Sequence, residues 1–167
     1  RDSGNRLRGI IPVHLFGLCA DMDAVNRIAH QYNLLVLEDS ACALGAMIGD
    51  THEGSFGNPS ALSFHPRKSI TTGEGGMVLT NDQQLAEYLR QLRSHAASLS
   101  EVQRHKNRGY LLPDFDELGF NYRMTDIQAA VGIEQIKKLD QICAERRRIA
   151  SIYDQEIPKY APYLKTP

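Results

Sequence analysis

Short apolar runs alternate along this chain with segments in which apolar residues recur at helical spacing. Four runs are typical of buried strands: residues 8–16, 34–37, 60–64 and 76–80. Between the first two, apolar positions from Met22 to Tyr32 follow a capping Asp21 and end at Asn33, which predicts a helix. Strand, helix and strand over about 30 residues predict a right-handed βαβ unit with parallel strands.

The second half of the chain carries two more helical patterns. A helix is predicted over 83–95, and a longer one begins at Thr125 and continues into the charged segment 144–157. Its apolar residues up to Ile142 are expected in the core or at a dimer contact. Residues 96–118 form a long polar connection, and such loops often carry function. Together the elements predict an α/β fold, with helices flanking a mostly parallel sheet.

Composition narrows the class of protein. The chain has 167 residues, 42% of them hydrophobic, and a formal net charge of -1, which suits one folded domain without a general attraction to nucleic acid or membranes. No apolar run approaches the roughly 18 residues of a membrane span. The three cysteines, Cys19, Cys42 and Cys143, lack metal-ligand spacing, so we expect no metal site and a cytoplasmic location.

The two ends of the sequence suggest a piece of a longer polypeptide. Residue 1 is an arginine, and a predicted strand begins a few residues later. A charged helical pattern continues almost to the other end. We therefore expect the chain to be an internal part of a larger protein.

Polar groups follow three of the predicted strands. His14 ends the first, Glu38 and Asp39 end the second, and the stretch 63–68 with Lys68 ends the third. Ligands of α/β sheets bind outside the carboxyl ends of the strands, so these groups are expected to converge. Glu38 is expected to be a supporting or surface carboxylate.

Two interpretations of Lys68 and Asp39 follow from their residue types. They could form a structural ion pair. Alternatively, the lysine could form a Schiff base with pyridoxal phosphate (PLP) while the carboxylate keeps the ring nitrogen protonated. PLP also needs donors for its phosphate, and hydroxyls of the right type are present at Ser63, Ser69, Thr71 and Thr72. Spacing alone leaves both interpretations open.

Four blocks of sequence add a resemblance: "VHLFGLCADMDAV", "VLEDSACALGA", "GSFGNPSALSFHPRKSITTGEGGMVLTND" and "LGFNYRMTDIQAAVGIEQIKKLD". Together, and in this order, they resemble the DegT/DnrJ/EryC1/StrS family of PLP-dependent sugar aminotransferases. The resemblance implies the large domain of the aspartate aminotransferase fold type. Residues 1–145 would form part of that PLP-binding domain. Residues 146–167 would be a linking helix toward a small C-terminal domain.

The resemblance also implies roles for particular residues. Lys68 matches the Schiff-base lysine, Asp39 the carboxylate at the pyridine nitrogen, and Ser63 a hydroxyl that binds the cofactor phosphate. Asn121 matches an asparagine that reaches the phosphate from a neighbouring subunit, which implies a homodimer with shared active sites. Cys42 occupies a cofactor-binding position where the family often has Gln or Glu, and a thiol bonds only weakly there.

Other candidates are less specific. His14, His65 and Arg123 are candidate substrate contacts, although a hydrogen-bonded structural role is an equal alternative for both histidines. The basic cluster 104–108 is either a clamp for a nucleotide diphosphate or solvated loop charge. The run 146–148 places three arginines at successive helical positions that cannot face one ligand, so we expect them to be solvated or paired.

The resemblance implies an enzyme that converts a nucleotide-linked keto sugar to an amino sugar, with glutamate as amino donor. The blocks are most similar to the perosamine-synthase-like branch, which acts on 4-keto-6-deoxy sugars that enter lipopolysaccharides or antibiotics. One alternative is a dehydratase of the same family, in which histidine replaces the lysine. Another is a PLP-binding regulatory protein without turnover. The isolated chain is expected to be inactive.

Overall fold

A computed structural model describes residues 7–57, 59–98, 114–115 and 117–166. It confirms the predicted βαβ unit: β1 (Gly9–Ile10) and β2 (Leu35–Val36) pair in parallel around helix α1 (Met22–Tyr32). The Asp21 side chain accepts a hydrogen bond from the backbone of Ala24 at 3.0 Å and so caps the helix. Asn33 ends α1 in the left-handed conformation.

The first strand is shorter than the sequence predicts. Only β1 forms a ladder, followed by a single bridge between Val13 and Asp39 and a 3₁₀ turn over Leu15–Gly17. Pro12 has no N–H to donate, which interrupts the ladder. Phe16 adopts a φ of 57°, so the chain bends away from the sheet there.

The strands that follow make the architecture α/β with mixed sheets. After β3 (Glu38–Asp39) comes an unpredicted antiparallel hairpin of β4 (Met47–Ile48) and β5 (Thr51–His52). Strand β6 (Ser60–Ser63) lies parallel to β3, but β7 (Gly76–Leu79) lies antiparallel to β6.

The predicted mostly parallel sheet is therefore wrong for the described residues, where parallel and antiparallel pairs are balanced. Parallel neighbours require a crossover, usually a helix, between them. The connection between β6 and β7 consists of turns instead, so the chain returns antiparallel.

Three further helices complete the described structure: α2 (Gln83–Leu92), α3 (Asp126–Ile136) and α4 (Leu139–Tyr160). Asp82 caps α2 by accepting hydrogen bonds from two backbone amides. Thr125 and Gln128 form a reciprocal capping box at the start of α3. The predicted continuous helix is thus two helices, separated at residues 137–138.

The buried apolar core is small, and α3 contributes no buried residue to it. Ile127 is 79% exposed, and the other large exposed side chains of α3 are Val131, Ile133 and Ile136. The face predicted to pack in a core or a dimer is therefore uncovered in the described structure. The buried apolar residues are Met22, Ala29, Ala43, Ala46, Phe64 and Ile70.

Two further expectations from the sequence concern membrane-spanning segments and the basic cluster 104–108. None of the described helices is both long enough and apolar enough to cross a bilayer. The basic cluster 104–108, together with most of the long polar connection, lies outside the described residues.

Candidate functional site

The turn that carries Lys68 begins where β6 ends. Phe64 closes it from both sides: its N–H donates to the Gly75 carbonyl at 2.8 Å, and its carbonyl accepts from the Thr72 N–H at 3.1 Å. Within it, the Lys68 N–H donates to the His65 carbonyl at 2.9 Å. The lysine is therefore held on a short, hydrogen-bonded turn at the strand end.

The two threonines of this turn shape the backbone. Thr71 Oγ1 donates to the Phe64 carbonyl at 2.9 Å, and Thr72 Oγ1 donates to the Glu74 carbonyl at 2.8 Å. Gly73 follows in a left-handed conformation, with a φ of 84°. The expectation that both hydroxyls are suited to a phosphate is corrected here, because their protons are directed to carbonyls of the turn.

The Lys68 amine contacts a thiol. Its Nζ donates a hydrogen bond to Cys42 Sγ at 3.1 Å, and the lysine forms no salt bridge with any described carboxylate. The interpretation of Lys68 as half of a structural ion pair with Asp39 is therefore wrong for the described structure. A thiol is a weak hydrogen-bonding group, so this contact leaves the amine accessible for reaction.

Lys68 and Cys42 line an open cavity of about 1240 Å³. Ser63, His65 and Ser69 line the same cavity. Typical pockets for one small ligand hold roughly 300–1,000 Å³, so this cavity has room for a cofactor together with a further molecule. Five of the residues singled out from the sequence as cofactor or substrate contacts are thus placed together: Cys42, Ser63, His65, Lys68 and Ser69.

Asp39 is not among the residues that line this cavity, but it lies on the same face of the sheet as Ser63, which does line it. It pairs with Ala61 across β3 and β6, and Ser63 follows Ala61 by two residues. Because side chains alternate along a strand, all three point to one face. Asp39 Oδ1 accepts from the Ala41 N–H at 3.0 Å, and no described residue occupies its second oxygen.

His14 and Glu38 lie on the opposite face and are fully buried. His14 Nε2 lies 2.8 Å from Glu38 Oε2, and His14 Nδ1 accepts from the Ala20 N–H at 3.0 Å. Because an amide can only donate, the ring proton is on Nε2 and is given to Glu38. The proposed substrate contact of His14 is therefore corrected to a structural one.

Glu38 is the centre of a buried hydrogen-bond network, which the sequence did not indicate. Besides His14, its carboxylate accepts from the N–H groups of Gly54, at 2.8 Å, and Gly57. It was expected to be a supporting or surface group, and its exposed fraction is 0%. In the sequence, Glu38 directly follows an apolar run. That position did not indicate that the loop 54–57 folds over its carboxylate.

Glu53 is a second buried carboxylate that the sequence did not single out. Its Oε1 accepts from the Gly45 N–H at 3.1 Å, but Oε2 has no hydrogen-bond partner in the described structure. Burial raises the pKa of Glu53 above its ordinary value, and the Gly45 amide offsets only part of that rise. Burial, together with the charges of Glu53 and Glu38, also raises the pKa of the Cys19 thiol.

Asn121 and Arg123 lie apart from the Lys68 cavity. Asn121 is exposed and forms an antiparallel bridge with Ser94. Arg123 is also exposed, and its guanidinium donates to Ser94 Oγ at 3.1 Å. The structure does not bring either residue to the lysine of its own chain.

Helix α4 supplies a wall of the cavity that sequence reasoning missed. Arg146 and Arg147 line the cavity, whereas Arg148 pairs with Glu145 at 2.6 Å. Arg146 and Arg147 are exposed and Arg148 is paired, so the expectation that the run is solvated or paired is confirmed, and the structure adds that the two exposed arginines border the cavity. The signal was available in the helical spacing from Cys143, which lines the same cavity.

Metal-ligating side chains are not grouped in the part of the chain that the structure describes. Among the residues that the structure describes, no three His, Cys, Asp or Glu side chains are grouped as metal ligands. The described lining of the cavity offers an amine, thiols, hydroxyls, an imidazole, guanidiniums and one carboxylate.

Comparisons with known proteins agree on one family. Residues 4–166 match the profile of the DegT/DnrJ/EryC1/StrS aminotransferase family. A GDP-perosamine synthase of Caulobacter vibrioides is 41% identical over 97% of this chain. The match covers 41% of that relative, so the chain spans about two fifths of its length.

Solved structures give the same result. PseC of Helicobacter pylori, an aminotransferase involved in the biosynthesis of pseudoaminic acid, matches with a TM-score of 0.83 and 30% identity. The match covers 95% of this chain and 42% of that one. An aminotransferase from Psychrobacter cryohalolentis matches with a TM-score of 0.84 and 35% identity, covering 93% of this chain and 40% of that one.

Proposed function

Because the chain belongs to the DegT/DnrJ/EryC1/StrS aminotransferase family, we propose that the protein carrying it is a PLP-dependent aminotransferase. Its substrate is a nucleotide-linked keto sugar, of the 4-keto-6-deoxy type, and glutamate is the amino donor. The similarity to a GDP-perosamine synthase supports this substrate class. Residues 1–145 belong to the cofactor-binding large domain, residues 146–167 lead toward a small domain, and the enzyme acts in the cytoplasm.

The position of Lys68 is the observation that carries the proposal. Its amine opens into a cavity, is held by Cys42 Sγ at 3.1 Å and is paired with no described carboxylate. Lys68 is half-exposed and is neutralised by no described acid, whereas a lysine that serves only the fold is commonly paired with one. An amine in this position serves as a nucleophile toward an aldehyde and, once released, as the base that moves a proton.

The residues around the cavity fit PLP. Asp39 offers a carboxylate oxygen with no described partner, which would bind the ring nitrogen and keep it protonated. Ser63 and Ser69 offer hydroxyls for the phosphate, and Cys42 borders the space for the ring. PLP, when bound, supplies an electron sink for the carbanion formed next to the amino group.

His65 fits a supporting role at the substrate. Its ring lines the cavity, Nδ1 accepts from the Arg67 N–H at 3.2 Å, and Nε2 lies 3.9 Å from Glu74 Oε1. The Nε2 side of the ring is thus directed toward the rim of the cavity. A hydroxyl or phosphate of the substrate would bind there.

The active enzyme is proposed to be a homodimer with shared sites. Asn121 is exposed and apart from the cavity of its own chain, which suits a residue that completes the site of a second copy. Arg123 lies two residues further on and would contact substrate at the same junction. The uncovered apolar face of α3 offers a surface for that association.

The proposal is tested with the complete protein that carries this chain, mixed first with PLP and glutamate. The absorbance of the bound cofactor is expected to change from the aldehyde-derived to the amine form, with release of one equivalent of 2-oxoglutarate. Addition of GDP-4-keto-6-deoxymannose is then expected to yield the amino sugar. Bound cofactor that stays inert to every amino donor would instead indicate a regulatory protein.

A further inference from the structure

The cavity around Lys68 has a second basic wall, formed by α4. Arg146 and Arg147 line it from one turn beyond Cys143. Cys143 is packed closely against the loop before β4: a Cβ on Gly45 would lie 2.8 Å from Cys143 Sγ. This packing fixes the direction in which the two arginines project.

Neither guanidinium has a partner in the described structure. No described carboxylate or carbonyl binds Arg146 or Arg147, although the adjacent Arg148 is bound to Glu145 by two hydrogen bonds of 2.9 and 2.6 Å. No acid stands three or four residues from either arginine on α4, so the helix itself supplies a partner only to Arg148. The guanidiniums of Arg146 and Arg147, which line the cavity, are therefore available to bind a ligand.

The exposed cations that line the cavity would suit more than one anion. Arg67, Lys68, Arg146 and Arg147 line it, whereas the one carboxylate among its described lining residues is that of Glu74. A cofactor phosphate brings at most about two negative charges. The lysine and Ser63 lie at the strand end, where the cofactor is proposed to bind, and α4 forms another part of the wall.

We infer that Arg146 and Arg147 bind the diphosphate of the nucleotide-linked substrate. A guanidinium presents a planar fork of donors that matches two phosphate oxygens. Adjacent helical positions point about 100° apart, so the two forks reach the shared cavity from different directions, and each would bind one phosphate of a diphosphate. This inference rests on the proposed function for the identity of the substrate, but not for the existence of an anion site.

The test measures binding by calorimetry in the complete protein, with the cofactor already bound so that its phosphate position is filled. The probes are inorganic pyrophosphate, GDP and glutamate. Arg146→Gln and Arg147→Gln are each expected to weaken pyrophosphate and GDP binding about 10- to 100-fold, because each removes a charge-assisted contact. Arg148→Gln is the matched control on the same helix and is expected to leave both affinities unchanged.

Two outcomes would overturn the inference. One is an unchanged affinity for pyrophosphate and GDP in both variants. The other is a loss confined to glutamate, which would assign the arginines to the amino donor. Arg146→Lys and Arg147→Lys keep the charge and helix propensity, so they remain informative if a glutamine variant folds poorly. Each is expected to lose less affinity for pyrophosphate and GDP than the glutamine variant, since the fork is gone but the charge remains.

The same data separate this inference from the proposed function. Pyrophosphate binding that depends on both arginines, in a protein that never transfers an amino group, would uphold the site and refute the enzyme. Amino transfer in a protein whose pyrophosphate affinity does not depend on either arginine would uphold the enzyme and refute the site.

Discussion

Two buried carboxylates of this chain, Glu38 and Glu53, differ in how completely their oxygens are satisfied. Glu38 accepts hydrogen bonds from His14 and from two backbone amides. Glu53 accepts one, from Gly45, and its Oε2 has no hydrogen-bond partner, with His52 Nδ1 4.0 Å away. A buried charge that lacks hydrogen bonds is costly, whereas one that is fully bonded is costly to replace. The two glutamates should therefore respond oppositely to the same substitution.

Glu53→Gln is expected to stabilise the fold at neutral pH. Burial raises the pKa of Glu53, so the folded state binds more protons than the unfolded state between the two pKa values. The free energy of unfolding contributed by this group is therefore highest at low pH and falls as pH rises through the folded-state pKa. We predict a thermal midpoint a few degrees above wild type at pH 7.

That gain should shrink toward zero as the pH falls below about 4.3, the ordinary value for a glutamate. Glu38→Gln is the control: its amide would face an N–H donor, and we expect a loss of about 1–3 kcal/mol at pH 7. Thermal unfolding of the complete protein at several pH values measures both. A Glu53→Gln advantage that is independent of pH would contradict the account.

At the scale of elements, the attachment of α4 depends on one glycine. Gly45 has a φ of 89°, and a Cβ there would lie 2.8 Å from Cys143 Sγ. Leu139 of the same helix lies at ordinary contact distance, 3.6 Å from that position. The loop and the helix therefore approach as closely as a glycine permits.

Gly45→Ala is expected to destabilise the protein by more than Gly49→Ala. Both glycines have positive φ, which costs an alanine roughly 1–2 kcal/mol. Gly49 has open space around it, so only Gly45→Ala adds a collision with Cys143. Urea unfolding should show the difference, and Cys143→Ala should remove most of it in the double variant. Equal costs at the two positions would contradict the close contact.

The sequence predicted elements whose signals are local and missed those whose partners are distant. Asp21, Asp82 and Thr125 cap helices through side chains within three residues of the backbone they bind, so each helix start was readable. The direction of β7 depends on a turn without a crossover helix, and Pro12 shortens β1 by removing one donor. Those outcomes depend on tertiary pairing, which local spacing does not determine.

The same distinction holds for the candidate site. Ser63, His65 and Lys68 belong to the stretch that was expected to converge with His14, Glu38 and Asp39, and these three line one cavity together with Cys42, which the family resemblance had indicated. His14 also follows a strand end, but the alternation of faces carries it to Glu38 on the other side. Burial of a polar side chain depends on what folds over it, and residue spacing does not contain that information.

At the scale of the whole molecule, the described structure leaves much apolar surface uncovered. Ile127 on α3 and Leu118 just before it are 79% and 93% exposed. Large exposed apolar surfaces mark places where other protein surface packs. The second copy proposed above would cover part of this surface.

Shared active sites predict complementation between two inactive variants. Lys68→Ala removes the amine and Asn121→Asp places a negative charge where a phosphate is proposed to bind, so each homodimer should be inactive. In mixed dimers, one site receives both intact residues. Coexpression of equal amounts should therefore restore up to about a quarter of wild-type activity. Absence of recovery in verified mixed dimers would contradict the sharing of sites.

The most direct measurement of the central claim is chemical labelling of Lys68. The complete protein is incubated with PLP, treated with borohydride, digested and analysed by mass spectrometry. The account predicts a reduced phosphopyridoxyl group on Lys68 as the main modification, and its loss in Lys68→Arg. Labelling spread over surface lysines, with Lys68 unmodified in the wild-type protein, would contradict it.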